Sequence, residues 1–559
     1  MVRGLSPRDA ILVLLGAACM HIASTIFAPF SEPSSIVVNT HVTSHSGNPD
    51  DFRNGIYEVV HPAPLEHPDV NAAAEYPPPG LPLDSNPSIS QRPPTQVEVH
   101  VDIEAEIPET TLVSHAPGWT IFRNLYMADG TLFIVTSKPE LFPAISLMTS
   151  TGLPAENTPE SIEARMPTDR DMTVITPAEA RARWGADKSV VGERNRLFPV
   201  SGSTLLFNDP PQFIDHYYHF CAELVFGVQA FWTGAHNARI TLPTSSAAAD
   251  QSSIHSTAPH ISRAIFAHTR SQEWRDKPGF NAYFLRAAFP SLTVETQEDW
   301  EDRILTTRSK ALGGGGEGGR GRAWWFDEVL LTDRSAAFRG TECGAVTQRT
   351  AAEAILGVKD TLDRHWWEPV RRAVLRFAGI DGTILSIGDR QEERKDEGLR
   401  PDRVVVSYID RQGSRRHLIQ EHHEGLVAAL EEVCARRGWE LNVVQAEKLT
   451  KEEQLEVAAR TTFMLGVHGN GLTHLIMMPL TPISTVIEIF YPGGFAHDYE
   501  WTARARGMKH FAVWNDTYAA HPDPRVKDPN YPDGFQGTQI PVHGPTVARI
   551  LEDRFDGVL

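Results

Sequence analysis

Strands and helices alternate over residues 404–490, and this alternation constrains the fold more than any other feature of the chain. Apolar strand patterns occupy 404–411, 439–446, 461–467 and 484–490. Helical spacing fills 423–437, which Gly438 can cap, and Thr450 with Glu453 forms a capping box for the next helix. Strands joined by helices build a parallel sheet with right-handed crossovers. The sequence therefore predicts a doubly wound α/β domain here.

The preceding region also mixes strands and helices. Strand patterns lie on both sides of an Asp129–Gly130 turn and again at 201–209 and 324–334, while HYYHFCAELVFGVQAFW (216–232) reads as a buried helix. A glycine-rich stretch (311–323) and a charged stretch (388–403) read as surface segments. We expect an N-terminal α/β domain over 111–350 and a Rossmann-like domain over 351–559.

The N-terminus has the pattern of a membrane anchor. Residues 10–30 contain no Asp, Glu, Lys or Arg, and about 20 such residues can cross a bilayer as a helix. Arg3 and Arg8 precede the stretch, so residues 1–9 are expected in the cytosol and the bulk of the chain in the lumen. A signal peptide cleaved near Ala28 is the alternative. The proline-rich segment 31–110 is predicted to be a disordered stem.

Charge and cysteine content narrow the classes of partner and of compartment. The formal net charge is −19, which argues against nucleic acid as a partner but allows a small phosphorylated ligand in a local positive pocket. The four cysteines make no CxxC pair, so we expect at most one disulfide or simply buried thiols. Asn515 begins a glycosylation sequon, in agreement with a single-pass type II protein of the Golgi or endoplasmic reticulum.

A candidate diphosphate-binding loop follows the strand at 461–467. In an open parallel sheet, ligands bind beyond the carboxyl ends of the strands. The loop places two glycines before a helix start, whose free N–H groups and dipole favour an anion. A plain tight turn with a structural histidine is the alternative. The residues of this candidate donor site are His468, Gly469, Asn470, Gly471, Leu472 and Thr473.

Charged residues at two other strand ends extend this candidate site. Arg411 and Arg416 could neutralise a leaving diphosphate, because a guanidinium binds two phosphate oxygens at once. Arg415 reads as a surface residue. Glu488 could accept hydrogen bonds from a ribose diol, or it could be a buried carboxylate with a structural role.

Three residues of the first half are candidate catalytic groups. His216, His219 and Glu223 share one helical face, and a side chain of this kind in a cleft could act as a general base on a hydroxyl. Core histidines are the alternative. No third metal ligand follows at a recognised spacing, so no metal site is predicted. Asp169-Arg170-Asp171 resembles a metal-binding DxD but reads as a turn.

Several of these motifs, in this order, resemble glycosyltransferase family 61 in its fungal branch. The matching segments are PGWTIFRNLYMADGT, DHYYHFCAELVFG, VSYIDRQGSRR, GVHGNGLTHLIMMP and VIEIF, within residues 111–543. Arg411, Arg416, the 468–473 loop and Glu488 match family positions. Asn470 and His474 replace the commoner Ala and Asn. Ala222 stands where animal relatives carry an acid, which places Glu223 one residue later.

The resemblance implies a GT-B-like fold of two facing Rossmann-like domains and an inverting transfer from a UDP-sugar without an essential metal or other cofactor. Xylose is the first expectation for the sugar and N-acetylglucosamine the second, with a glycan, polysaccharide or glycoprotein hydroxyl as acceptor. Two other classes stay open. One is a catalytically silent sugar-binding or scaffold protein of the same fold, and the other is an oxidoreductase, against which the absence of GxGxxG counts.

Overall fold

The structure is a computed structural model that describes residues 106–156, 158–186, 189, 193–242, 254–308, 321–338, 349–380 and 403–559. The predicted anchor (10–30), nearly all of the stem (31–110) and most of the two surface segments (311–323 and 388–403) lie outside the described residues. Within the described ranges, no helix combines the length and the apolar character that a membrane crossing requires.

An eight-stranded mixed sheet organises the first half of the described chain. The strands of this half are β1 (Thr111–Ala116), β2 (Trp119–Ala128), β3 (Thr131–Val135), β4 (Met172–Ile175), β5 (Leu197–Phe207), β6 (Ile240–Thr241), β7 (His255–Ser256), β8 (Ile261–Phe266), β9 (Thr293–Glu295) and β10 (Ala323–Thr332). Strands β6 and β7 form a separate small pair, and the others form the sheet. The order is β4-β3-β2-β10-β5-β8-β9, and β1 pairs with β2. Strands β10, β5, β8 and β9 are parallel. Phe207 pairs with Thr332, so β5 and β10 end at the same edge.

Helices surround this sheet and connect it to the second half. They are α1 (Pro159–Ala164), α2 (Pro177–Trp184), α3 (Phe226–Ala235), α4 (Phe280–Ala288), α5 (Gln297–Thr307), α6 (Arg334–Phe338), α7 (Arg349–Val358) and α8 (Glu368–Phe377). The predicted buried helix over 216–232 is present but begins as a π-helical segment, Tyr218–Val225, that continues into α3. Wide π-helical turns inside α-helices are frequently found at functional sites. The Asp129–Gly130 turn joins β2 to β3 as predicted.

The second half contains the parallel sheet that the sequence predicts. Its strands are β11 (Val405–Ile409), β12 (Glu440–Val444), β13 (Phe463–Val467), β14 (Thr485–Ile489), β15 (Lys509–Trp514) and β16 (Thr517–Ala519). The order is β12-β11-β13-β14-β15-β16, with β16 antiparallel and the other pairs parallel. From β11 the chain first forms β12 on one side of β11 and then crosses over to form β13 on the other side. This mixed α/β architecture with a parallel sheet is Rossmann-like.

The helices of the second half are α9 (Gln420–Arg437), α10 (Lys451–Arg460), α11 (Asp498–Ala505) and α12 (Gly544–Asp556). The predicted caps are confirmed. Gly438 ends α9 with a φ of 69°. The Thr450 hydroxyl accepts from the Glu453 amide, and the Glu453 carboxylate accepts from the Thr450 amide. After β13, the segment Asn470–Met477 forms a 3₁₀ helix, here called the cradle helix.

The two halves share one apolar core, and Val97–Leu559 forms a single compact unit. Trp367, just before α8, donates from Nε1 to the carbonyl of Ile476 at 2.8 Å. Arg371 of α8 donates to the carbonyl of Met477 at 2.9 Å. These bonds satisfy the last carbonyls of the cradle helix, which have no partner within the helix itself. The division into domains at residue 350 stays a prediction.

Candidate functional site

The candidate site lies where the second sheet reverses its strand order. Strands β11 and β13 are neighbours, but their following helices connect in opposite directions, which opens a crevice at their carboxyl ends. Arg411 and Arg416 follow β11, and the 468–473 loop follows β13. The structure therefore brings the predicted donor-site segments together at one edge of the sheet.

The loop after β13 is shaped around Arg411. The Nη1 atom of Arg411 donates to the carbonyl oxygen of His468 at 2.8 Å, and its Nε donates to the Ser414 hydroxyl at 3.2 Å. Gly469 has a φ of 148°, and a Cβ there would collide with the Arg411 guanidinium. At Gly471, a Cβ would come within 2.8 Å of the Ile409 side chain. Both glycines are therefore required by close packing of the loop on β11.

The beginning of the cradle helix is held by its own side chains. The Thr473 hydroxyl donates to Oδ1 of Asn470 at 3.1 Å. Leu472 is buried and packs against Gly466 at the end of β13. Asn470 and Thr473 thus fix the local conformation, and Leu472 anchors the helix to the sheet.

Arg416 is the free cation of this edge. Within the described residues, its Nε and Nη1 atoms are buried and have no hydrogen-bond partner. Burial and the neighbouring charge of Arg411 lower its pKa, although a guanidinium remains protonated at neutral pH. Buried N–H donors without partners are costly, and an anion would satisfy them. Arg415, by contrast, is exposed and donates to Gln536 at 2.8 Å.

Glu488 lies beneath the loop, between two histidines. One carboxyl oxygen is hydrogen-bonded to Nδ1 of His468, and the other lies 2.8 Å from Nε2 of His510. Glu488 is fully buried, which raises its pKa well above the usual value, and burial lowers the pKa of His468 well below its own. Each carboxyl oxygen has a histidine partner and the side chain is buried, so in this arrangement Glu488 orients His468.

A second cluster, in the first half, surrounds Glu223. The carboxylate is fully buried. Its Oε2 accepts a hydrogen bond from Nδ1 of His219 at 2.9 Å and forms an ion pair with Nη1 of Arg334. Because Nδ1 of His219 donates to the carboxylate, the lone pair of the neutral imidazole is on Nε2. The His219 side chain keeps 18% of its surface exposed. His219, oriented by Glu223, is therefore the group that can reach a substrate.

Arg334 and Asp209 complete this cluster and were not anticipated from the sequence. Both follow strand ends, Asp209 after β5 and Arg334 after β10. The Arg334 backbone N–H donates to Oδ1 of Asp209 at 3.0 Å, and its Nε lies 3.5 Å from the same atom. Burial raises the pKa of Asp209 to about 7. The strand-end rule that selected Arg411 would have found both residues had it been applied to the first sheet.

His216 connects the two clusters. It precedes the π-helical segment, and its ring centroid lies 4.9 Å from that of His219. Its pKa is lowered to about 4, mainly by the surrounding protein and secondarily by His219 and Arg416. The charge of Arg416 is thus one of the influences that lower the pKa of His216.

Residues at the start of α11 form the seam between the halves. The Tyr218 hydroxyl donates to the carbonyl of Asp498 at 2.8 Å. The buried Tyr499 ring packs edge-on against Tyr218 at 5.1 Å and against His468 at 5.7 Å. No motif in the sequence marks this seam, because it depends on residues about 280 positions apart.

Four further features of the sequence can be described in the structure. Asp171 accepts from the Thr168 backbone and hydroxyl at 2.7 and 2.8 Å, so the DxD forms a turn, as predicted. Among the described residues, no group of three or more His, Cys, Asp or Glu side chains is arranged to hold a metal ion. Cys221 and Cys434 are buried free thiols, while Cys343 lies outside the described residues. Asn515 lies at the turn between β15 and β16.

Comparison with known proteins gives two matches. The family model described as Glycosyltransferase 61 matches residues 217–487, which contain His219, Glu223, Arg334, Arg411, Arg416 and the 468–473 loop and stop one residue before Glu488. A relative from Drosophila melanogaster, EGF domain-specific O-linked N-acetylglucosamine transferase, is 26% identical over 132 residues. That alignment covers 24% of this chain and 23% of the relative, so the similarity spans about a quarter of each protein.

The family match covers most of both clusters of the candidate site, while Asp209, His216, Glu488 and α11 lie outside it. It agrees with the resemblance found in the separated motifs of the sequence. On these grounds, residues 217–487 of the chain are similar to glycosyltransferase family 61.

Proposed function

We propose that this chain is an inverting glycosyltransferase that moves a sugar from a UDP-sugar to a hydroxyl group of a glycan, polysaccharide or glycoprotein. The observation that carries the proposal is that Arg416, a half-buried arginine with two buried donors that have no partner, and the histidine–glutamate pair His219–Glu223 belong to elements that pack together through the Tyr218–Tyr499–His468 contacts. An unpaired cation suits a leaving diphosphate, and an oriented imidazole suits a hydroxyl that must lose its proton.

In the proposed reaction, Nε2 of His219 takes the proton of the acceptor hydroxyl. The hydroxyl oxygen forms a bond to the anomeric carbon on the face opposite the diphosphate. The bond from that carbon to the phosphate oxygen breaks, and its electron pair leaves with UDP. Glu223 keeps His219 in the tautomer with a proton on Nδ1 and stabilises the imidazolium that forms, as a carboxylate does in other catalytic dyads.

Departure of UDP places negative charge at the loop edge. The Nε–H and Nη1–H groups of Arg416 can donate to diphosphate oxygens as the charge develops. Arg411 acts differently from the first expectation, because two of its donors hold Ser414 and His468 in place. Its contribution is the shape and the positive field of the loop. The proposal includes no metal, since two guanidinium groups supply the charge that a divalent ion would otherwise supply.

Two considerations bear on the identity of the transferred sugar. The Drosophila relative is named as an N-acetylglucosamine transferase, which supports that sugar. The fungal and plant branch of the family that the motifs resemble favours xylose. Both therefore belong in the donor panel. A type II Golgi or endoplasmic reticulum location, with the catalytic part in the lumen, remains our proposal from the sequence of residues 1–30.

The test is UDP release by the purified chain across a panel of UDP-sugars in EDTA. We expect slow release from a single donor, lost in Arg416→Ala and preserved in Arg415→Ala, the exposed neighbour. Arg416→Ala should weaken UDP binding by roughly 10- to 100-fold, as expected for a hydrogen bond to a charged group. Absence of both UDP binding and UDP release with every donor, with or without Mn²⁺, would refute the proposal and favour the sugar-binding scaffold.

A further inference from the structure

A chain of directional hydrogen bonds connects the cradle helix to the helix that carries His219. It begins at Gln454 of α10, whose Nε2 lies 2.8 Å from the carbonyl oxygen of Ala446 and 3.1 Å from that of Leu449. A carbonyl oxygen can only accept, so this end of the amide is the nitrogen and the other end is the oxygen. That oxygen, Oε1, lies 3.0 Å from Nε2 of His474.

The orientation of Gln454 fixes the tautomer of His474. Because Oε1 of Gln454 accepts, Nε2 of His474 must carry the proton and donate. Nδ1 is then the acceptor, and it lies 3.4 Å from the hydroxyl of Tyr217, which must donate. Burial also lowers the pKa of His474 to about 4, so the ring is neutral near pH 7.

Aromatic contacts hold the same junction. The rings of Tyr217 and Phe280 are stacked with their centroids 4.6 Å apart. His474 packs against both, at 5.4 Å from Tyr217 and 5.1 Å from Phe280. Tyr217 is the residue just before the π-helical segment Tyr218–Val225, and His474 lies in the cradle helix one residue after Thr473. One buried contact thus joins the element with the candidate base to the element with the donor loop.

We infer that His474 is a positioning residue, which holds the His219 helix in register with the donor loop through the Tyr217 hydroxyl. The inference rests on the proposed function and deepens it. His474 touches neither reacting atom. Instead, His474 fixes the position of the loop relative to the His219 helix. When the diphosphate occupies the loop, the anomeric carbon then lies at a fixed distance from Nε2 of His219, as efficient transfer requires.

The first test separates chemistry from binding. Tyr217→Phe removes only the hydroxyl and keeps the ring stack. We expect kcat to fall about 10-fold while the UDP Kd changes less than 2-fold. His474→Phe should have the same effect, and the double variant should be no worse than either single variant, as expected for two partners of one interaction. His474→Asn, which keeps an acceptor near the Nδ1 position, should recover most of kcat.

Full kcat in Tyr217→Phe, or additive losses in the double variant, would overturn the inference. A second measurement does not depend on transfer. Hydrogen exchange of the Tyr218–Val225 amides should slow when UDP binds the unmodified chain, and Tyr217→Phe should bind UDP equally well yet lose this protection. Protection that is absent, or equal in both proteins, contradicts the inference even if no donor is turned over. A chain that transfers sugar but shows no such protection would refute the inference alone, and a chain that does not bind UDP would refute both proposals.

Discussion

The guanidinium of Arg411 occupies the space that a Cβ on Gly469 would need, and its Nη1 donates to the carbonyl just before that glycine. Gly469→Ala should therefore displace Arg411 and open the loop. We expect UDP binding to weaken at least 10-fold, because the loop amides and the arginine lose their common arrangement. Isothermal titration with UDP measures this effect.

The control for this substitution is Gly438→Ala. Gly438 also has a positive φ, 69°, but a Cβ there would meet no atom within 4 Å. It should lower the stability by about 1 kcal/mol, the usual cost of placing Ala in this conformation, and leave UDP affinity unchanged. Equal affinity in both variants would show that Arg411 does not depend on Gly469.

His219 and His216 should differ in their effect on turnover. His219→Ala should lower kcat by about 10²- to 10⁴-fold, the usual share of a general base. His216→Ala should lower it less than 10-fold, because the Glu223 carboxylate orients His219 and not His216. Steady-state kinetics with the preferred donor compares the two. A larger loss of kcat in His216→Ala than in His219→Ala would indicate that His216, not His219, is the general base.

Glu223→Ala should act mainly on stability. It removes one of the two carboxylates that pair with the buried Arg334, and breaking a buried ion pair costs roughly 3–5 kcal/mol. Glu223→Gln keeps an acceptor for His219 and should fold, with kcat reduced about 10-fold or more at unchanged UDP affinity. Denaturant unfolding and kinetics separate the two effects. A fully active Glu223→Ala would rule out its role as the orienting residue.

Glu368 holds three arginines at the junction of the halves. Its oxygens lie 3.1 Å from Arg371 and Arg372 and 3.5 Å from Arg506. Burial alone would raise the pKa of Glu368, but the arginines outweigh it and hold the pKa at about 2. Glu368→Gln should therefore destabilise the protein by about 3–5 kcal/mol. Glu432→Gln, at the exposed pair with Arg436, should cost less than about 1 kcal/mol. Similar losses in both variants would contradict this expectation.

Two buried histidines should lose their stabilising contribution as the pH decreases below neutral, while the raised pKa of Asp209 acts in the opposite direction. Burial lowers the pKa of His474 and of His510 to about 4, whereas the unfolded chain keeps values near 6.5. The unfolded state therefore takes up protons first, so the stabilising contribution is complete above about pH 6.5 and is lost progressively down to pH 4. At pH 5 the loss is about 2 kcal/mol for each histidine. Urea unfolding of the natural chain and of His474→Asn between pH 7.5 and 5 checks this, because the variant should lose about 2 kcal/mol less stability over this interval. Equal changes in both proteins would contradict the expectation.

The sequon at Asn515 gives a test of location. Asn515 lies in a turn with a φ of 53°, and Asp516 and Thr517 are exposed. If the chain enters the secretory pathway, as we propose, this turn should carry a glycan. An endoglycosidase-sensitive shift on a gel should disappear in Asn515→Gln and in Thr517→Ala. An unmodified protein from secretory expression would argue against glycosylation at this position.

Local patterns explain which parts of the fold could be predicted. The strands and helices of 404–490 follow from apolar periodicity and from caps such as Thr450 and Gly438, which involve only neighbouring residues. The conformations of Tyr218–Val225 and Asn470–Met477 were not predicted, because packing between the halves decides them. A periodicity near that of an α-helix cannot distinguish its 3₁₀ and π variants over eight residues.

The sequence predicted the segments that form the candidate site better than it predicted the role of each side chain. Strand-end reasoning brought Arg411, Arg416 and the 468–473 loop together correctly. It did not separate the roles of Glu223 and His219, which depend on the contact with Arg334, 111 residues away. For Glu488 it left a ribose contact and a buried structural role open, and it did not anticipate His468 and His510, which adjacent strands bring to the carboxylate. Burial and long-range partners decided these roles.

The unpaired donors of Arg416 also have a kinetic consequence. The free enzyme keeps two positive charges, Arg411 and Arg416, side by side, and each lies in a setting that disfavours its charge. Free UDP relieves this repulsion as effectively as the donor does. Product should therefore leave slowly and inhibit the next cycle, so that turnover depends on how fast the surroundings remove UDP.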